Sequence, residues 1–268
     1  MINRLFYLFI GLLLLLVVVS PLLPLQPQQI ELNQILSPPG AGLLLGADEL
    51  GRSIVDRLLV GARLSILVAV AVVSFSALLG ITVGLIAGYL GGWVDQTIVR
   101  LIDVVLAFPG LLLAIALAGM LGPGIDNLII ALITVGWVGY ARLIRAQVLS
   151  LREAEHVQAA RALGSGPLFI MSRHLLPLAY APLVIEATFG LAGAVLAEAS
   201  LSFLGVGIQP PAPTWGSMIR DGARYMLVAP HYVLAPGTAL LLVVLTVNLL
   251  GDQLRDRLDI RRTTLEEP

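Results

Sequence analysis

Residues 64–90 read LSILVAVAVVSFSALLGITVGLIAGYL, a run without any charged side chain. A helix needs about 20 consecutive apolar residues to cross a hydrocarbon core of about 30 Å, so this run predicts a transmembrane helix. Within it, Gly80, Gly84 and Gly88 recur every fourth residue, a spacing that lets a second helix approach closely. We therefore expect this helix to cross a bilayer and to pack tightly against a neighbour.

The rest of the chain is similarly apolar. Of its 268 residues, 58% are hydrophobic and 12% are charged, about half of the roughly 25% charge found in soluble domains. Five more runs are long enough to span a bilayer: Leu5–Leu23, Ile98–Leu121, Leu128–Leu149, Leu178–Leu204 and Tyr232–Leu250. The sequence thus predicts an all-α polytopic integral membrane protein with six transmembrane helices. We divide it into an N-terminal anchor with an outer loop (1–63) and a core of five transmembrane helices (64–268).

Composition also excludes several classes of function. The chain has no cysteine, and therefore no disulfide, thiolate nucleophile or cysteine metal site. Its net charge of −1 argues against a nucleic-acid partner. The first apolar run follows Arg4, as in a signal peptide, but Ser20-Pro21-Leu22-Leu23-Pro24 offers no small-x-small cleavage site. We expect an uncleaved anchor.

The placement of arginine predicts the orientation in the membrane. If the N-terminus is cytoplasmic, eleven arginines fall in cytoplasmic segments: Arg4, Arg100, Arg142, Arg145, Arg152, Arg161, Arg173, Arg255, Arg257, Arg261 and Arg262. The outer segments then hold five: Arg52, Arg57, Arg63, Arg220 and Arg224. This excess predicts that both termini are cytoplasmic.

Two outer segments, 26–63 and 205–232, are long and contain several prolines. Proline stiffens loops and forbids regular helix, and long loops are commonly functional. We interpret these segments as a docking surface or a lid, and the alternative is that they only connect the spans. The candidate docking residues are Asp48, Gly51, Arg52, Trp215 and Gly216.

A polar segment separates two of the apolar runs. Residues 152–177 read REAEHVQAARALGSGPLFIMSRHLLP, and so many charges exclude the segment from hydrocarbon. Strong helix formers fill 153–163, and Gly164 is a natural stop just past the end of a helix. Leu168–Met171 then restart a helix, and Pro177 marks the entry to the next span. We predict a short cytoplasmic helix that contacts another protein; the alternative is a solvated loop with helical propensity.

The predicted short helix has two sides. Its apolar side consists of Val157, Ala160 and Leu163. Its polar edge consists of Glu155, Gln158 and Arg161. The small pair Ala159-Ala160 would allow a partner surface to approach closely.

The same segment resembles a known signature. Gln158-Ala159-Ala160, then Gly164, then Leu176-Pro177 resemble the cytoplasmic signature of permease subunits of binding-protein-dependent ATP-binding-cassette importers. That signature usually opens Glu-Ala-Ala, runs to a glycine and closes on Leu-Pro. Gln158 stands in place of the family's carboxylate, and Glu155, one helical turn earlier, is a candidate substitute for it.

Four longer stretches narrow the resemblance. They are LGADELGRSIVDRLLVGARLS (45–65), GGWVDQTIVRLIDVVLAFPGLLLAIAL (91–117), EASLSFLGVGIQPPAPTWGSMI (198–219) and NLLGDQLRDRLDIR (248–261). They look like the second permease of dipeptide and oligopeptide importers, and the nickel permeases are close relatives. The resemblance covers nearly the whole chain apart from a short N-terminus.

The resemblance implies a transporter subunit rather than an enzyme. It implies a bacterial or archaeal cytoplasmic membrane, a second homologous permease, two ATPase subunits and an extracytoplasmic substrate-binding protein. The chain contains no GxxxxGK[ST] phosphate loop, so ATP and Mg²⁺ are expected on the partner ATPases and no cofactor on this chain. The residues expected to couple to the ATPases are Glu155, Gln158, Ala159, Ala160, Arg161, Gly164 and Pro177.

Three acidic residues lie within predicted spans, where charge is costly and usually faces a cavity or a partner. Glu186 and Glu198 lie in the fifth span at different depths, and Asp103 lies near the inner end of the third. We assign them, with Pro109, to the translocation path or the interface between permeases. The alternatives are structural hydrogen bonds for the glutamates and an ion pair with Arg100 for Asp103. Pro109 should break or kink its span.

Other functions stay open at this point. The three histidines lie on separate segments without metal-ligand spacing, so no metal site is expected. A proton-driven secondary transporter using the three acids is one rival, but the sequence lacks the inverted repeat and paired broken helices of such proteins. A membrane scaffold is a second rival, and nickel or another small solute is an alternative substrate.

Overall fold

A computed structural model describes residues 23–40 and 42–258. In these two ranges the architecture is helical, and extended backbone pairs only in two isolated bridges, Gly40–Leu43 and Ala47–Ser53. Apart from Leu23, the predicted first span lies outside the described residues, and so does the question of its cleavage.

The described helices follow one another along the chain with short connections. They are α1 (Ile54–Leu90), α2 (Gly92–Leu106), α3 (Gly110–Leu121), α4 (Ile125–Leu151), α5 (Glu155–Ala162), α6 (Pro167–Ile170), α7 (Tyr180–Phe203), α8 (Trp215–Ala223) and α9 (Pro230–Leu258). A π-helical stretch, Met171–Leu175, and a 3₁₀ turn, Leu176–Ala179, join α6 to α7. A further 3₁₀ turn covers Leu32–Gln34.

Four of the described helical stretches are long and apolar enough to cross a membrane: α1, α4, Pro167–Phe203 and α9. The pair α2 and α3 passes the same test together, with a bend of 83° between them, and makes a fifth if it is one broken span. The all-α, multi-span prediction is therefore confirmed. The count of six stays a prediction, because it includes the N-terminal run.

Two helix boundaries can be compared with those predicted from the sequence. The break between α2 and α3 falls at Ala107–Pro109, as predicted, because proline lacks the N–H that a continuous helix needs. By contrast, α1 begins at Ile54 rather than Leu64. Ser53 caps this earlier start, since its Oγ accepts a hydrogen bond of 3.3 Å from the backbone N–H of Asp56.

The chain forms two compact units, each assembled from separate parts of the sequence. Within the described residues, the first comprises 23–40, 42–71, Ile115–Ala131 and Ala192–Thr246. The second comprises Val72–Ala114, Leu132–Leu191 and 247–258. The linear division at residue 63 stays a separate prediction.

The second unit is built on direct backbone contact between α1 and α4. A Cβ placed on Gly84 would lie 2.6 Å from the carbonyl oxygen of Ala141 and 2.9 Å from the Cβ of Ile144. The same test puts a Cβ on Gly80 2.5 Å from the carbonyl oxygen of Trp137. The glycine spacing in the sequence therefore marks a close helix contact, as predicted.

The first unit has its own apolar cluster. Ile54, Met218 and Tyr232 are fully buried and pack together. Trp215 is buried beside them, and its indole Nε1 donates a hydrogen bond of 3.2 Å to the carbonyl oxygen of Leu58. This cluster joins the start of α1 to α8 and to the start of α9.

We expect Gly84→Ala to lower the free energy of unfolding by about 1–3 kcal/mol, because the added methyl group overpacks a backbone contact. Gly193→Ala is the matched control, since a Cβ on Gly193 meets nothing within 4 Å and alanine has the higher helix propensity. Thermal unfolding of the purified protein in detergent measures both. Equal stability of the two variants would contradict the close contact.

Candidate functional site

The short helix α5 packs one face into the second unit. Val157 and Ala160 are buried in a cluster that also holds Ile144 of α4 and Ile170 of α6. Leu163, predicted on the same face, is 86% exposed. That prediction is wrong because α5 ends at Ala162, and Leu163 no longer follows the helical spacing.

A glycine ends α5 as predicted. Gly164 has φ +84°, a left-handed conformation that glycine adopts without steric cost. Its N–H donates to the carbonyl of Arg161 at 2.9 Å, and the N–H of Ser165 donates to the carbonyl of Ala160 at 3.0 Å. These two bonds form a Schellman motif, which turns the chain sharply toward α6.

The polar edge of α5 lies at the surface, as its sequence predicts. Glu155, Gln158 and Arg161 are exposed. Gln158 Nε2 donates a hydrogen bond of 2.9 Å to the carbonyl of Glu153, so the amide secures the start of the helix in a way that a carboxylate could not. The Arg161 guanidinium lies 5.3 Å from the ring centroid of Tyr89 on α1, within cation–π range.

Apolar side chains are exposed around the turn between α5 and α6. Leu163, Leu168 and Phe169 are 86%, 76% and 53% exposed, and Ala159 is exposed on α5 itself. We call this set of four the α5–α6 surface. A hydrophobic set of this kind on a polar segment indicates an interaction site. Pro177 lies in the 3₁₀ turn that leads into α7.

The turn also brings together two histidines that are far apart in sequence. The rings of His156 and His174 stack with centroids 6.1 Å apart, and Phe169 lies 5.7 Å from His174. Within residues 23–40 and 42–258, no group of three or more His, Cys, Asp or Glu side chains is placed to hold a metal ion.

A cavity in the second unit collects charged residues from three helices. It has a volume of about 680 Å³ and is lined by Asp103 of α2, Arg142 and Arg145 of α4, and Glu186 of α7, among apolar side chains. We call it the charged cavity. Sequence reasoning predicted Asp103 and Glu186 but used the two arginines only for orientation. Their position inside an otherwise apolar span was the missed signal.

Among the described residues, not all charges of this cavity are balanced. Arg145 binds Asp95 through two hydrogen bonds of 2.5 and 2.7 Å. In the described ranges, Asp103, Arg142 and Glu186 make no ion pair, and the predicted pair between Asp103 and Arg100 does not form.

Glu198 has a different environment from Glu186. It is fully buried in the first unit, and Ser202 Oγ donates a hydrogen bond of 2.7 Å to its Oε1. The hydroxyl groups of Ser65 and Thr214 lie beside the same carboxyl group. Thr214 also caps α8 by accepting a hydrogen bond from the N–H of Ser217 at 3.2 Å. Glu198 thus joins α1, α7 and the start of α8.

The predicted docking residues of the outer segments are largely buried. Asp48 is fully buried and Arg57 is 3% exposed, and they form an ion pair of 3.2 Å. Asp48 also accepts hydrogen bonds from the backbone N–H and the Nε of Arg52, at 2.9 and 2.6 Å. Gly51 has φ +74°, and a Cβ there would strike the carbonyl oxygen of Glu31.

Trp215 and Gly216, at the start of α8, are also buried. A Cβ on Gly216 would strike the carbonyl oxygen of Ala199, so α8 packs directly on the backbone of α7. Trp215 and Gly216 thus attach the second outer segment to α1 and α7, and their contact with a partner stays a prediction.

Comparison with known proteins places this architecture in a family. Residues 80–264 match the model of the family described as "Binding-protein-dependent transport system inner membrane component". The chain is 45% identical over 224 residues to the dipeptide transport system permease protein DppC of Alkalihalophilus pseudofirmus, covering 84% of this chain and 74% of the relative. It is 41% identical over 221 residues to the glutathione transport system permease protein GsiD of Pectobacterium atrosepticum, covering 82% and 73%.

Solved structures share the fold. The MetNI methionine ABC transporter, in an inward-facing conformation, contains a chain that matches with a TM-score of 0.58 and 21% identity. The match covers 75% of this chain and 95% of that one. At this identity the match shows the fold alone.

We expect Asp48→Asn to lower the free energy of unfolding by about 3 kcal/mol or more, because it leaves the buried Arg57 guanidinium without its countercharge. Glu31→Gln is the control, since Glu31 is exposed and such surface changes usually stay within about 0.5 kcal/mol. Chemical unfolding of the two variants in detergent measures the difference. A loss of similar size in both would mean that the buried pair does not stabilise the outer segment.

Proposed function

Because this chain belongs to the family of binding-protein-dependent transport system inner membrane components, it is the permease component of an ABC importer, and we propose that the solute it carries is a short peptide. The observation that carries the proposal is the identity of 41–45% to relatives named for dipeptide and glutathione transport. Glutathione is itself a tripeptide, so both names describe small peptides with charged ends.

The proposed orientation places α5 in the cytoplasm. The arginine excess at the inner ends of the spans and in the segments that join them supports it, as does the charge of residues 152–177. In this orientation both termini are cytoplasmic. The outer segments, held by the Asp48 and Glu198 clusters, face the extracytoplasmic side of a bacterial or archaeal cytoplasmic membrane.

We propose that the α5–α6 surface is the contact with the ATPase. Its exposed apolar side chains, Leu163, Leu168 and Phe169, have no cover in the described part of this chain, and the polar edge of Glu155, Gln158 and Arg161 lies on the same short helix. The buried face of α5 packs against Ile144 of α4. Close packing transmits displacement, so a push on the exposed face would reach the spans.

The family implies ATPase subunits, permease partners and a binding protein in general terms. Our specific proposal is a complex of this chain, one homologous permease, two ATPase subunits and an extracytoplasmic binding protein. The lack of a phosphate loop in this sequence supports ATP and Mg²⁺ binding on the ATPase chains, with no cofactor on this one.

The peptide proposal is tested by uptake into proteoliposomes that hold the complete complex, with the binding protein supplied. We expect ATP-dependent accumulation of dialanine that stops on nucleotide depletion and continues in the presence of an uncoupler. Uptake that follows the proton gradient instead would support a secondary transporter. Accumulation of nickel without any peptide would overturn the proposed substrate, and the absence of any transport would favour a scaffold.

The coupling role of α5 is tested by Gly164→Leu. A left-handed conformation costs a non-glycine residue about 1–2 kcal/mol. A free-energy change of that size alters a rate constant roughly tenfold. We expect dialanine uptake to fall roughly tenfold while basal ATP hydrolysis by the complex continues. Gly166→Leu is the matched control, because Gly166 has φ −72° and a Cβ there meets nothing within 4 Å. Normal uptake by Gly164→Leu would contradict the role of this turn.

A further inference from the structure

The charged cavity contains an incomplete set of charges. Arg145 is already neutralised, because both oxygens of the Asp95 carboxylate accept hydrogen bonds from its guanidinium. One cation, Arg142, and two carboxylates, Asp103 and Glu186, line the same cavity without an ion pair in the described ranges. Arg142 and Asp103 are exposed and Glu186 is half-buried, so a ligand can reach all three side chains. Ionisable groups on membrane helices commonly mark ligand or ion pathways.

The cavity has the size of a small-molecule site. Its volume of about 680 Å³ lies within the ~300–1,000 Å³ typical of such sites. Apolar side chains, Val99, Ile102 and Leu143, line it beside the charged groups. The lining therefore mixes apolar and charged side chains, and polar groups at fixed positions beside apolar surface can orient a ligand.

A glycine shapes the cavity beside Glu186. A Cβ on Gly139 would lie only 3.0 Å from Glu186 Oε1, so the absence of a side chain there leaves room for this carboxyl group. Glu186 also lines a neighbouring cavity of about 560 Å³, together with Arg255 of α9. The carboxyl group thus lines two adjoining spaces of the second unit.

We propose that the charged cavity is a binding site for the two ends of a short zwitterionic peptide, an inference that rests on the proposed function and defines its substrate class. The guanidinium of Arg142 binds the terminal carboxylate, because its planar donors match a carboxylate in two-fold geometry. Glu186 and Asp103 bind the terminal ammonium. The apolar wall accepts side chains without selecting among them.

The test is equilibrium binding of radiolabelled dialanine to the permease–ATPase complex in nanodiscs, without the binding protein, compared with N-acetyl-dialanine and dialanine amide. Hydrogen bonds to charged groups contribute enough that removing either charged end should weaken binding roughly tenfold. Arg142→Gln should weaken dialanine binding by a similar factor and leave the already weak binding of the amide unchanged. Glu186→Gln should likewise weaken the binding of dialanine roughly tenfold and leave the already weak binding of N-acetyl-dialanine unchanged.

Arg100→Gln is the matched control, since Arg100 is exposed on the helix that carries Asp103 and does not line the cavity; it should bind dialanine normally. Arg142→Lys keeps the cation and should retain the preference for a free carboxylate. If Arg142→Gln does not assemble with the ATPase, the lysine variant and the three ligands on the wild-type complex still decide the question.

Equal binding of the three ligands by the wild-type complex, or no binding of dialanine at all, would overturn this inference. An equal loss in Arg100→Gln would also overturn it. The proposed function is tested by uptake and the cavity by equilibrium binding, so the failure of one can be distinguished from the failure of the other. Uptake of dialanine without end-dependent binding overturns only the cavity, whereas end-dependent binding without any peptide uptake overturns only the peptide importer.

Discussion

The contact of α1 with α4 through glycine is the interaction on which the second unit depends. Gly80, Gly84 and Gly88 let α1 approach α4 so closely that an added Cβ would collide with carbonyl groups and Cβ atoms of α4. The same stretch of α4 carries Tyr140, Ile144 and Val148 into the cluster that holds α5. Because protein interiors are close-packed and compress little, the coupling that we propose would carry a displacement of α5 to α4 and from there to α1.

Local sequence signals predicted most of the helices. Where a predicted helix boundary was wrong, a tertiary contact explains the difference. The break at Pro109 and the stop at Gly164 depend on the covalent properties of proline and glycine, which hold in any context. The predicted start of α1 was too late because the uncharged run begins only after Arg63, and Arg57 and Arg63 were both assigned to an outer segment. Arg57 instead lies in the first turns of α1. Its charge is balanced by Asp48, and a pairing of that kind between a loop and a helix has no local signature.

The partners of the candidate site residues also could not be predicted from local sequence. Asp103, Glu186 and Glu198 are equivalent in sequence terms, as carboxylates within apolar runs. The structure separates them, because Glu198 is enclosed by hydroxyl groups whereas Glu186 and Asp103 line a cavity with Arg142. Hydropathy reports that a charge lies in a span, but its partners come from other helices. The stacking of His156 on His174 was unpredictable for the same reason.

Charged residues that form ion pairs and charged residues that do not have different roles in this molecule. Asp48 with Arg57, and Asp95 with Arg145, are satisfied within the chain, so they stabilise structure and offer nothing to a ligand. Among the described residues, the charged cavity has one arginine without an ion pair, Arg142, beside two carboxylates, Asp103 and Glu186. A ligand with two carboxylates would place one of them near Asp103 or Glu186, and a ligand without a carboxylate would leave Arg142 unpaired. One negative and one positive end, as in the short peptide that we propose, is the charge pattern that would give both Arg142 and the two carboxylates a partner.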